Sequence, residues 1–122
     1  MADNTNRIAG TANITVDGKA LMLAGDFEYN PSTRTRTTLT GQDSVHGYSE
    51  VPKAGSISGT LRDAGGLRVS DLNDMTNVTI VTELANGKVI IGRNMWTVED
   101  QTAKSTDGTI EVRWEGPSVT EN

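Results

Sequence analysis

At 122 residues with 34% apolar content, the chain has room for one domain around one thin core, spanning 1–122 with flexible ends at about 1–7 and 117–122. Cysteine is absent, which excludes a disulfide framework and thiolate chemistry, and 11 basic against 16 acidic residues give a net charge of -5, opposite to a domain that grips phosphate backbones. The polar start "MADNTNRIAG" has no signal-like apolar stretch, and no run approaches the roughly 18 apolar residues of a membrane span, so the expectation is a cytoplasmic, soluble protein.

Strand-period alternation begins with "TANITV", which sets Ala12, Ile14 and Val16 on one face and Asn13 and Thr15 on the other. Asp17-Gly18 supplies a short hairpin turn. The return strand over 19–29 places Leu21, Leu23, Phe27 and Tyr29 on one side, with Asp26 and Glu28 outward, and Asn30-Pro31-Ser32 ends it. "TRTRTTLT" then forms a β-branched strand with Arg34 and Arg36 on one face, either as a solvated surface or as a contact with an acidic neighbour.

Over 41–55, "GQDSVHGYSEVPKAG", the periodicity disappears, which predicts one long loop. Val45, Tyr48 and Val51 are apolar handles that a solvated excursion does not need, so an interaction arm competes with a plain surface loop. "SISGTL" resumes the alternation, and Asp63-Ala64-Gly65-Gly66 ends that strand. One short helix starts at Val69 to Ser70, with Ser70 as the expected cap and Asp71 in the first turn.

Val78, Ile80 and Leu84 then alternate up to Asn86-Gly87, a strong type I′ hairpin signal because both central residues need positive φ. "KVIIGRNMW" returns, with Gly92 marking a bulge or a close backbone approach. Asp107-Gly108 opens the last strand, "TIEVRWEG", whose Ile110, Val112 and Trp114 face one way, and Trp96 and Trp114 are both expected in the core. About seven strands, one short flanking helix and one long loop describe a mainly β protein, a small antiparallel sandwich or barrel.

Chemistry-bearing residues are few. The single histidine, His46, has only the carboxylates Asp43 and Glu50 near it in sequence, and neither a nucleophile with a base nor a metal-ligand cluster can be assembled around it. Carboxylate pairs such as Asp71 with Asp74 read as solvated charge, and the glycines lack the Gly-Lys-Ser/Thr of a phosphate loop. No enzyme, metal or cofactor is expected, which leaves structure or binding.

The segment "VSDLNDMTNVTIVTELANGKVIIGRNMW", together with "AGTANITVDGKAL" near the start, resembles the Mu-like tail tube proteins of contractile bacteriophages. The order of helix, strand, Asn-Gly-Lys turn, strand and Asn-x-Trp close carries the resemblance over nearly the whole chain. It implies a structural virion protein whose hexameric rings stack into the inner tail tube, assembled in the host bacterial cytoplasm and giving DNA a conduit without binding it specifically. The implied partners are other copies of the chain and the tail sheath, tape measure and baseplate proteins, with no membrane. In that setting Val45, His46, Tyr48, Val51, Arg34 and Arg36 are the candidate inter-subunit contacts, and Asp26 and Glu28 the candidate lumen charges. Alternatives are the tube of a type VI secretion system or tail-like particle, or a small ligand-binding β-module that stacks a sugar on Tyr48 and the tryptophans.

Overall fold

In a computed structural model, which describes residues 5–63 and 67–122, the chain is built of antiparallel strands and one short helix. In chain order they are β1 (Ala12–Val16), β2 (Lys19–Leu21), β3 (Leu23–Asn30), β4 (Arg34–Thr40), β5 (Val45–Pro52), β6 (Gly55–Arg62) and α1 (Val69–Asn73). After the helix come β7 (Val78–Leu84), β8 (Val89–Thr97), β9 (Thr102–Lys104), β10 (Thr109–Gly116) and β11 (Ser118–Glu121). The expected strand end at Ala64, Gly65 and Gly66 and the first four residues of the N-terminal end lie outside the described residues.

One sheet runs in the order β2-β1-β7-β8-β10-β6-β3, with β11 added to β8 and β9 to β10. It does not close into a barrel: among the described residues β3 pairs only with β6, and no register joins it to β1 or β2. The sheet turns on itself through β8, whose first part pairs with β7 and β11 and whose end, at Trp96 and Thr97, pairs with β10. Inward side chains from both halves meet in one core of Ile14, Ile57, Leu61, Ile80, Ile90, Met95, Ile110 and Trp114, capped by Leu72 from α1. This matches the alternation of apolar residues, because successive strand side chains point to opposite faces.

The 19–29 strand is divided at Met22. β2 stays with β1, while β3 crosses to β6, where two register shifts lie on either side of Gly25 and the second spans Asp26. The shifts cancel in parity, so Leu23, Phe27 and Tyr29 still pack toward the core and Asp26 and Glu28 still point outward. Asp26 takes a positive φ of 54° at this bulge, a conformation that Asp tolerates better than most residues.

Several expectations are corrected. The long loop over 41–55 is mostly strand: β5 pairs with β4 along its length to make a separate two-stranded hairpin. Its sequence shows no alternation because neither face of this hairpin is buried. Ser70 does not cap α1; Arg68 holds the N-cap position and contributes no side-chain hydrogen bond. Trp96 is not a core residue and is 38% exposed, whereas Trp114 is fully buried. A bulge causes the difference. Between the pairs Val78↔Met95 and Ile80↔Gly92, β8 carries one more residue than β7, with Asn94 at φ 55°. That extra residue moves the inward phase from Ile90 and Gly92 to Met95, which turns Trp96 out.

Residues 117–122, set apart by their polarity as a flexible end, include β11 on the edge of β8, and Asn122 exchanges both backbone hydrogen bonds with Val89. Tyr29 Oη donates to Glu121 Oε2 at 2.7 Å and Lys88 Nζ reaches the same oxygen at 3.1 Å, so one carboxylate ties β3, β11 and the Asn86-Gly87 turn together. The tyrosine hydrogen bond, with Lys88 beside it, holds the Glu121 carboxyl below its ordinary 4.5. A depressed carboxylate stabilises the folded state above its unfolded pKa, and that contribution is lost as pH falls through the folded value. The melting-temperature gap between wild type and Glu121→Gln is therefore expected to be full at neutral pH and to shrink below about pH 4.5. A gap that is constant from pH 7 to pH 3 would show that the ionised carboxylate does not hold the tail.

Candidate assembly surfaces

Two features stand out on the surface: the exposed hairpin of β4 and β5, hereafter the arm, and a carboxylate-lined groove on the β3-β6-β10 half of the sheet. The arm leaves the body between the end of β3 and the start of β6, and its neck is closed by the Lys53 N–H donating to the Thr33 carbonyl at 2.8 Å. Beyond that neck every residue of β4 is exposed, and in β5 only Gly47 is even half-buried. An isolated two-stranded hairpin is at best marginally stable in water, so an arm of this kind calls for a partner surface.

Register fixes what each arm face presents. Cross-strand partners share a face, so Arg34, Arg36 and Thr38 stand with Pro52, Glu50 and Tyr48, while Thr35, Thr37 and Leu39 stand with Val51, Ser49 and Gly47. On the first face both arginines converge on one carboxylate, Arg36 Nε at 2.8 Å and Arg34 at 3.5 Å from Glu50, and the Arg36 guanidinium lies 5.3 Å over the Tyr48 ring. Exposed pairs of this sort contribute little stability, but two cations sharing one anion leave positive charge to offer a neighbour.

Val45 pairs with Thr40 beyond a bulge that leaves His46 out of register. His46 Nε2 sits 2.7 Å from Asp43 Oδ1 and holds that carboxyl below its ordinary 3.8. Gly41 makes the close approach possible, since a Cβ there would meet the His46 ring. The six contact candidates are thus all on the arm, divided between its faces: Arg34, Arg36 and Tyr48 on one, Val51 on the other, Val45 and His46 near the tip. Leu39, 48% exposed on the same face as Val51 but nearer the tip, is a further candidate, hidden by its setting among threonines in a strand that reads as solvated. Its one signal is that it is the sole large apolar residue in "TRTRTTLT".

The groove brings Asp26 and Glu28 together with Glu99, Asp100 and Glu111, and with Arg113 as the lone cation of its lining. Asp26 with Glu28 and Glu99 with Asp100 are each close in sequence, but the two pairs and Glu111 come from three separate parts of the chain. Glu111 arrives through β10, which pairs with the same β6 that carries β3, and Glu99 and Asp100 through the loop after β8. Gln101, buried and 7% exposed, brackets that loop: its side-chain NH₂ donates to the Val98 and Glu99 carbonyls, and its Oε1 accepts from the Arg113 N–H at 3.2 Å. Asn73 Oδ1 from α1 takes the Gln101 N–H at 2.9 Å. Gln101→Leu keeps the volume and orphans these groups, so a loss of about 1–3 kcal/mol is expected from the urea midpoint. A variant within 0.5 kcal/mol of wild type, on the roughly neutral scale of surface changes, would show that the loop holds its shape without the bracket.

No three carboxylate, histidine or cysteine groups among the described residues are placed to hold a metal ion. The groove is therefore a field of spread negative charge rather than a ligand cage. A sugar-stacking platform is not assembled either, since Trp114 is buried and Tyr48 lies on the separate arm.

Known proteins share both the sequence pattern and the architecture. The profile of the family described as phage tail tube protein matches residues 5–121. A Mu-like prophage FluMu tail tube protein of Haemophilus influenzae is 32% identical over 104 residues, covering 85% of this chain and 86% of that protein. The tail tube protein of Escherichia phage Mu is 25% identical over 107 residues, with 88% of each chain covered. In three dimensions the chain matches a sheath/tube terminator of an extracellular contractile injection system in its extended state, with a TM-score of 0.62 over 91% of this chain and 92% of that one. At 10% identity this last likeness concerns the fold alone.

Proposed function

Since the chain belongs to the phage tail tube protein family, a family of structural virion proteins and not of enzymes, we propose that it forms hexameric rings that stack into the inner tube of a contractile tail. The tube lies within the sheath, has tape measure and baseplate proteins as further partners, and carries DNA through its lumen at ejection. The observation that carries this reading is the arm, a hairpin exposed along its whole length on a protein whose apolar core is otherwise well enclosed. Repetition around a ring gives both the arm and the open sheet edge at β3 a neighbour to cover them.

The lumen is lined by the outer surface of the β3-β6-β10 half, where Asp26, Glu28, Glu99, Asp100 and Glu111 share one groove. Carboxylates repel a phosphate backbone and keep DNA from adhering to the wall it passes. Arg34, Arg36, Val45, His46, Tyr48 and Val51 engage the adjacent subunit or the adjacent ring. The same surfaces would serve a tail-like injection particle, and the fold likeness to a sheath/tube terminator supports that second reading.

Negative-stain electron microscopy of the concentrated protein tests the proposal. Hollow rings or tubes with sixfold end views are expected; a monomer at every concentration would remove the assembly role.

A further inference from the structure

We propose that the apolar groove between β1 and β3 receives the arm of a second copy of this chain, an inference that rests on the assembly reading and names the surface the arm meets. The groove is lined by Ile8, Ala12, Phe27, Tyr29, Leu84 and Ala85. Ile8 on its rim is 78% exposed, an apolar side chain with no shelter in the single chain.

Backbone groups on both sides of the groove are open as well. Among the described residues β3 pairs only along its β6 edge, which leaves its opposite edge without a strand partner, and β1 has no β2 partner at Ala12 and Asn13 because their pairing starts at Ile14↔Leu21. An occupant that suits this place is extended and presents an apolar side chain on one face. The arm meets both conditions: it is extended, and on the face opposite the arginines it presents Leu39 toward the tip, with Val51 on the same face nearer the neck.

Charge supports a second copy in particular. Residues 33–53 hold Arg34, Arg36 and Lys53 against Asp43 and Glu50, a net of +1, which leaves -6 on the remainder of a chain whose total is -5. The arm is the basic segment of an acidic molecule, and Glu28 lies on the groove wall. Opposite net charges favour the encounter of arm with body and disfavour body with body. Because donor and acceptor surfaces differ, each copy gives one arm and accepts one, a heterologous contact that propagates from copy to copy.

Cysteine cross-linking tests the docking, since the chain has no native cysteine and both chosen positions are exposed, so neither change threatens the core. Mild oxidation of the assembled double variant Leu39→Cys with Ile8→Cys should yield a disulfide-linked ladder on non-reducing electrophoresis. An equal mixture of the two single variants should stop at heterodimers, and Leu39→Cys paired with Arg93→Cys, on the outer face of β8, should stay monomeric. Tubes without cross-links in the first pair overturn the docking and leave the tube reading standing. An intramolecular disulfide, or equal ladders in the Arg93 control, overturns it too; neither tubes nor cross-links overturns both.

Discussion

Replacing residues 34–52 with Asn-Gly is expected to abolish tube formation while leaving the β-fold of the single chain intact. The cut is placed where the chain already pairs: the Lys53 N–H donates to the Thr33 carbonyl, so a two-residue insert turns that bond into the i+3 to i bond of a tight turn. Nothing of the core leaves with the arm, because β4 is exposed throughout and β5 nearly so. Shortening the connection also lowers the entropy lost on closing it, by about 0.6 kcal/mol for each halving of its length. The melting temperature should therefore hold or rise slightly, and the far-ultraviolet circular dichroism should remain that of a β protein. Tubes of normal length from the shortened chain would show that the arm is not what joins the subunits. A softer variant, Arg34→Glu with Arg36→Glu, inverts the charge on one arm face only and should weaken assembly most at low salt, since exposed charges are screened beyond about 10 Å at 0.1 M.

Much of the body was legible in the sequence because its signals are local. The Asn86-Gly87 turn and the alternation on either side lie where β7 and β8 form, but the expected type I′ geometry is corrected: of the two residues only Gly87, at φ 91°, takes a positive φ. The Leu84 carbonyl accepts from the Gly87 N–H while the Leu84 N–H donates to the Lys88 carbonyl, closing a three-residue loop. The Asp17-Gly18 turn likewise joins β1 to β2, with both residues at positive φ. What stayed hidden depends on partners far along the chain or outside it. β5 shows no alternation because its hairpin has no buried face to select one. The outward turn of Trp96 comes from one extra residue near Asn94, and a bulge leaves no periodic mark before the partner strand is known. Asp26 and Glu28 could be placed outward from strand parity alone, yet the three carboxylates that join them in the groove come from elements some 70 to 85 positions later. The register of β6 with both β3 and β10 brings Glu111 to Asp26 and Glu28, and the loop after β8 brings Glu99 and Asp100.

The two tryptophans, alike in sequence and opposite in setting, give the second large expected effect. Trp114→Ala should lower stability by about 3–5 kcal/mol, the range for removing a large buried aromatic and leaving a cavity. Its side chain is fully buried among the core residues, its indole N–H points to Met75 Sδ at 3.4 Å, and its strand lies between β6 and the end of β8. For a domain whose total stability is on the order of 5–15 kcal/mol, that loss removes about a fifth or more and should lower the melting temperature by roughly 10–20 °C. Trp96→Ala, one residue past the bulge and opposite Glu115, empties no core site and should cost under about 1 kcal/mol. Chemical denaturation followed by circular dichroism checks both without relying on indole fluorescence. Equal costs at the two positions would mean that the β8 bulge does not turn Trp96 out of the core, and the inward phase of β8 would then have to be redrawn. With Trp96 outward, the single chain keeps an exposed indole on the same half of the sheet as the carboxylate groove. Its emission then reports whether assembly covers that surface: a blue shift on tube formation would bury the indole between copies, and an unchanged maximum would leave it facing water.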